Sequence, residues 1–263
     1  MLIAHFSDTH IQTGPLAADS ARQLHRALGR VLALDRQPDC VVITGDVANV
    51  GREDEYEAFR TIVGDFPIPI HLVTGNHDDP KTMVAQFGGS AYLGGGDSPY
   101  YVVEYPNACF IALDTNVPNS PAGHIPAEQL HWLDRTLAAS DRPAVVALHH
   151  PPIPIGIRFL DDMGLDNGDE LRAVLEKHDT VGRVLAGHIH RTIIGGFAGA
   201  TLTVASSLYR QSALSLTGDQ PPGYLHEPPG VLLHLLSDSA STRGNWLTHY
   251  LPTDVPGSIV GFF

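Results

Sequence analysis

Short apolar runs alternate with stretches of helical spacing along most of this chain, and past residue 187 the helical spacing stops. LIAHF at 2–6 reads as a strand. From 19 to 34 the apolar residues Leu24, Leu28, Val31 and Leu32 recur at helical intervals, so this segment is expected to be a helix. CVVIT at 40–44 is a continuous apolar run, as a strand buried on both faces requires. A helix with acidic residues in its first turn follows at 54–62 and a strand at 68–74. YVVEY and ACFIALD flank Pro106-Asn107 as a hairpin. A helix opening near Pro126 is expected over 125–137, a strand over 144–149, a helix over 169–177 and a strand over 181–187. TIIGGF, TLTVAS, GVLLHLL and NWLTHYL then read as antiparallel strands.

That order, β-α-β-α-β, a hairpin, α-β-α-β and then all β, fits an α/β fold in which helices cover both outer faces of two packed sheets. Residues 216–230, rich in Pro and Gly, read as a loop. We divide the chain into a catalytic core at 1–206 and a β-rich extension at 207–263 that continues the core sheet. The last eleven residues end in an apolar cluster of Ile259, Val260, Phe262 and Phe263. Such a tail is expected to pack on its own domain or on a neighbouring subunit.

At 263 residues and 43% hydrophobic, the chain is long and apolar enough to bury a substantial core. Its net charge of −13 disfavours a nucleic-acid polymer as substrate, since two polyanions repel at long range. A bound pair of divalent cations would offset about four of those charges, so the sign says little about the site itself. Cys40 and Cys109 both lie in apolar runs and read as buried thiols without a disulfide framework. There is no basic leader with an apolar core, and no apolar run approaches the ~20 residues of a membrane span. A reducing cytoplasm is therefore the expected location.

The chemistry-bearing residues gather at strand ends. Asp8-Thr9-His10, Gly45-Asp46, Gly75-Asn76-His77-Asp78, His149-His150 and Gly187-His188-Ile189-His190 each follow an apolar strand. Ligands of open α/β sheets bind beyond the carboxyl ends of strands, so five such clusters should meet in one crevice. Carboxylate, imidazole and amide oxygen together suit divalent Fe, Mn, Zn or Co. A lone D-x-H or H-x-H means little; five in this order are specific.

SDTH, TGDVAN, TGNHDD, LHHPP and AGHIHR resemble the signature blocks of the calcineurin-like metallophosphoesterases, over residues 7 to 191. The resemblance implies a four-layer α/β/β/α sandwich of two mixed sheets. It implies two divalent metal ions: Asp8, His10 and His190 on the first, Asn76, His149 and His188 on the second, and Asp46 bridging. It also implies hydrolysis by a metal-activated water or hydroxide, with His77 next to the substrate phosphate or leaving group. There His77 acts either as a general acid or as an electrostatic stabiliser. The protein phosphatases of the superfamily carry an Asp that pairs with this His; Asn49 stands at the matching position here and cannot stabilise an imidazolium by charge. GDVANVGREDEYEAF is closer to the bacterial glycerophosphodiesterase and class III cyclic-nucleotide phosphodiesterase branch.

A small phosphodiester is therefore the expected substrate, with Asn76 and His77 contacting it and Arg210 reaching its phosphate or else forming a surface ion pair. The competing readings are a phosphomonoesterase, protein phosphatase or phosphonate monoester hydrolase, a nuclease, and a scaffold without metals. Strand alternation turns His150 away from the ligand beside it, into a supporting or core position. His71 reads as structural, Asp78 and Asp79 as a strand stop and a cap on the segment that follows, and 52–55 as a solvated helix start. The glycerophosphodiesterase branch forms oligomers through the region after the core, so a homo-oligomer, a dimer or higher, is expected with 216–230 and the tail near the contact.

Overall fold

The computed structural model describes residues 1–219, 221–238 and 241–253. Four layers form because strand alternation feeds two cores. In β5 (Ala108–Ala112) and β6 (Ala144–Ala147), Phe110, Ala112, Val145 and Ala147 face a core shared with the first sheet. The alternate residues Cys109, Ile111, Ala144 and Val146 face a second core beneath the helices.

The first sheet runs β13-β12-β1-β2-β3. Its strands are β1 (Leu2–Phe6), β2 (Cys40–Thr44), β3 (Ile70–Val73), β12 (Gly230–Asp238) and β13 (Asn245–Pro252). β1, β2 and β3 are mutually parallel, while β12 pairs antiparallel with β1. The second sheet runs β4-β5-β6-β7-β9-β8, with β4 (Tyr101–Tyr105), β7 (Val181–Ala186), β8 (Ile193–Phe197) and β9 (Ala200–Val204). Here β5, β6, β7 and β9 are parallel, and β4 and β8 are antiparallel edges.

Apolar stripes at helical spacing fix the outer layers. Helices α1 (Ala17–Leu32) and α2 (Glu53–Val63) bury Leu24, Leu28, Val31, Tyr56 and Phe59 in the first core. Helices α4 (Ala127–Ala138) and α6 (Gly168–Leu175) bury Leu130, Leu133, Leu171 and Leu175 in the second. No helix among the described residues is long and apolar enough to cross a membrane.

The structure departs from the sequence reading in four places. The late strands are not uniformly antiparallel, because β9 joins β7 in parallel. Two helices are additional: α3 (Pro80–Phe87), capped by the Asp79 carboxylate on Thr82 N at 2.7 Å, and the single-turn α5 (Arg158–Asp161). Glu55 is buried rather than solvated, since its carboxylate accepts from Val50 N at 3.0 Å and Arg52 N at 3.2 Å and so caps α2. The loop at 216–230 contains β11 (Tyr224–Leu225), which pairs with β10 (Gln211–Ser212). The apolar tail, Ile259, Val260, Phe262 and Phe263, lies outside the described residues. His71 is structural as expected, bonded to Ala91 O at 2.9 Å and to the Tyr105 hydroxyl at 2.7 Å.

Candidate metal centre

Five parallel strands, β1, β2 and β3 of one sheet and β6 and β7 of the other, end at one crevice, and each delivers a cluster there just past its last residue. The turns are strained. Asp8, His10, Asp46, His188 and His190 all have φ between 42° and 69°, in the left-handed region that side chains ordinarily avoid. Only Asn119 and Ala198 join them among the described non-glycine residues. Strain of this kind persists where surrounding structure over-determines a site. The preceding glycines make room for it. Gly45 takes φ 90°, and a methyl group on it would collide with the His149 ring; one on Gly75 would strike the Asp46 carboxylate.

The donor atoms fall into two sets that share one carboxylate. Asp46 Oδ2 lies 3.5 Å from His10 Nε2, which is 3.1 Å from His190 Nε2; that nitrogen is 3.3 Å from Asp8 Oδ1. Asp46 Oδ1 lies 3.4 Å from His149 Nε2, and Asn76 Oδ1 is 3.1 Å from the same nitrogen and 3.0 Å from His188 Nδ1. Asp8, His10, Asp46, His149, His188 and His190 are buried and Asn76 is partly so.

Backbone carbonyls set the imidazole tautomers. His149 Nδ1 donates to Thr44 O at 2.7 Å and His190 Nδ1 to Arg210 O at 2.8 Å, so each turns its Nε2 into the crevice. His188 Nε2 is buried without a hydrogen-bond partner; this ring is held by packing against His149 and His150, at 5.1 and 4.7 Å between centroids.

Lone pairs therefore face lone pairs. Asn76 Oδ1 meets the acceptor nitrogen of a neutral His149, and the two Nε2 atoms of His10 and His190 meet each other. Such a set needs positive charge at its centre, supplied either by protons or by cations. Without cations, burial would raise the Asp46 pKa, but the His149, His10 and His77 imidazoles outweigh it and hold the carboxyl well below its ordinary range. Burial likewise disfavours charge on His149, yet Asp46 and Asp8 push that imidazole up to about 9. Burial pushes His10 down to about 4 and His188 to about 3. The donors thus fit divalent ions, whose binding would displace the proton from His149.

The other predicted residues lie around this set. His77 is exposed and its backbone N–H donates to Asp46 Oδ1 at 2.9 Å. Its Nδ1 donates to the backbone carbonyl of Asn49 at 2.7 Å, leaving Nε2 free. The partner of His77 is thus the Asn49 main chain, not the Asn49 amide. His150 packs beside His149 and His188, and both of its ring nitrogens already have protein partners, Thr115 Oγ1 at 2.7 Å and Pro121 O at 3.1 Å. Arg210 stacks over Tyr209 at 4.7 Å, and Tyr209 in turn stands 6.1 Å from the His10 ring.

Three contributors have roles at the site that the sequence pattern does not reveal. Asp78 does more than end a strand: it accepts from Val47 N, Ala48 N, Gly75 N and the Tyr56 hydroxyl, joining the Asp46 and Asn76 loops. Ser207 donates to Asp8 O at 2.8 Å and accepts from Tyr209 N and Arg210 N. Tyr224, from the Pro/Gly-rich loop, sets its ring 5.4 Å from that of His190.

A family model described as calcineurin-like phosphoesterase matches residues 1–192. A probable glycerophosphodiester phosphodiesterase, GpdQ of Arcobacter nitrofigilis, is 30% identical over 240 residues, 89% of this chain and 88% of the relative. The 3',5'-cyclic adenosine monophosphate phosphodiesterase CpdA of Pseudomonas aeruginosa is 31% identical over 196 residues, 73% and 70% of the two chains. Among solved structures, a dimetal phosphatase from Danio rerio superposes with a TM-score of 0.61 at 17% identity, over 94% of this chain and 98% of that one. At that identity the likeness concerns the fold alone.

Proposed function

This chain belongs to the calcineurin-like phosphoesterase family and is a metal-dependent phosphodiesterase, and from that premise we propose that it hydrolyses small diesters of the glycerophosphodiester or cyclic-nucleotide kind. The observation that carries the reading is the Asp46 carboxylate, whose two oxygens face two separate sets of nitrogen and oxygen donors. Asp8, His10 and His190 complete one ion site, and Asn76, His149 and His188 the other. Two divalent ions, Fe, Mn, Zn or Co, would there polarise the phosphoryl oxygens and lower the pKa of a water. Asn76 and His77 border the phosphate, and the free Nε2 of His77 is placed to meet the leaving oxygen. Asn49 orients that ring through its carbonyl, and the Arg210 guanidinium stands at the rim.

We further propose the core at 1–206 as the catalytic unit, with 207–263 as an extension that shapes the site's rim and lies near a subunit contact in a homo-oligomer. The two free buried thiols, Cys40 and Cys109, suit a cytoplasmic location. The test is a panel of bis-, mono- and cyclic phosphate esters, assayed after chelation and again after each divalent metal is restored. Metal-dependent turnover of bis- and cyclic esters above monoesters is expected. Preference for monoesters, or full activity in verified metal-free protein, would overturn the reading.

A further inference from the structure

A cavity of about 570 Å³ opens between α5 and the loop that carries β10 and β11. Ile157, Phe159 and Leu160 form one wall, and Ala213, Pro222 and Tyr224 the other. Its inner edge is built onto the metal centre. Ser212, which lines the cavity, donates its N–H to His190 O at 3.3 Å, and the Tyr224 ring spans the step between the cavity and the His190 imidazole. Two large aromatic side chains at the cavity are left open to solvent, Phe159 at 54% and Tyr224 at 61% exposure. A bound group would cover both.

We propose that this cavity takes one of the two organic groups of the diester, an apolar or aromatic group larger than glycerol, while the phosphate lies at the metal centre. The assignment rests on the phosphodiesterase reading above and adds a specificity determinant to it. The volume lies in the ordinary range of ligand sites, about 300–1,000 Å³. Its apolar walls offer a polyol few hydrogen-bond partners, so hydroxyls buried there would go unpaired. An aromatic ring has no such need and would stack on the two exposed rings. Arg158, Asp162, Ser212 and Ser215 supply the few polar groups that orient such a ligand.

The experiment compares methyl p-nitrophenyl phosphate with benzyl p-nitrophenyl phosphate on the metal-loaded full chain. The leaving group is common to both, so the ratio of kcat/KM values reads only the retained group. The benzyl ester should be preferred by at least about tenfold. Phe159→Ala should draw that ratio towards one and Phe159→Leu should restore part of it; Phe159 is exposed, so neither change threatens the fold. Ala213→Trp, which fills the cavity, should abolish the preference. Equal kcat/KM for the two esters in the parent would overturn the pocket assignment alone. So would an unchanged ratio in both Phe159→Ala and Ala213→Trp. Hydrolysis of neither ester would overturn the phosphodiesterase reading, and this assignment with it.

Discussion

Replacing Asp78 with Asn keeps the side chain's shape but gives up an acceptor that joins the Asp46 loop to the Asn76 loop. Oδ2 accepts from Val47 N at 3.1 Å and Gly75 N at 2.9 Å; Oδ1 accepts from Ala48 N at 3.0 Å and the Tyr56 hydroxyl at 3.1 Å. An amide at Oδ2 would point its NH2 at two backbone donors. An amide at Oδ1 would point it at Ala48 N and force the Tyr56 hydroxyl to turn, although that oxygen already accepts from Asp79 N. Either way one or two hydrogen bonds to a buried charge are lost, each contributing about 1.5–3 kcal/mol, for a total of roughly 2–5 kcal/mol. In a chain of this size each kcal/mol shifts Tm by about 2–4 °C, so a fall of roughly 5–20 °C is expected. Burial and the Asp46 charge push the Asp78 carboxyl up to about 7, which opposes part of this loss in the metal-free protein, so the comparison belongs near pH 8 with Mn²⁺ in excess, where the ions offset the Asp46 charge and the carboxyl is ionised. Calorimetry on parent and Asp78→Asn reads the shift, and manganese titration should show affinity weakened by roughly 10–100-fold as the two loops loosen. A Tm within about 2 °C of the parent would refute the reasoning, because one or two buried donors cannot lose their acceptor that cheaply.

His77→Ala should slow esters of poor alkoxide leaving groups by roughly 10²–10⁴-fold and activated aryl esters far less; equal losses would assign His77 an electrostatic role instead. His5 is buried between Thr44 Oγ1 and His234 Nε2, and burial pushes its pKa down to about 3. Its folded value lies below its unfolded one, so stability is full above about pH 6.5 and is lost as pH falls towards 3, by up to about 2 kcal/mol at pH 5. NMR titration should find the His5 ring neutral from about pH 5 to 8, and a midpoint near 6.5 would contradict this. Light scattering should find the full chain oligomeric; a monomer would refute the assembly proposal, and an oligomer unchanged on removal of residues 254–263 would refute only the tail's part in it.

The candidate site was legible because each chemical residue follows its own strand directly. A run such as CVVIT declares a buried strand, and the Gly-Asp after it can only lie at that strand's carboxyl end. Residues whose role depends on the far side of the fold were not legible. Tyr224 sits in a loop without periodicity, and only the β10–β11 pairing brings it to His190. The identity of residue 49 drew attention, yet its main-chain carbonyl does the orienting, and a carbonyl leaves no mark in the sequence. Helix α3 did carry a signal, Asp79 followed by Pro80, which is an N-cap and first-turn pair. The parallel entry of β9 has no local signature, because strand direction is set by the connection through β8.

Anomalous diffraction at the manganese edge, from crystals of the full chain grown with Mn²⁺, tests the binuclear centre most directly. Two peaks per chain are expected, about 3.5–4 Å apart, one on each side of the Asp46 carboxylate. The first should be bounded by Asp8, His10 and His190 and the second by Asn76, His149 and His188. A single peak, or two peaks that do not share Asp46, would contradict it.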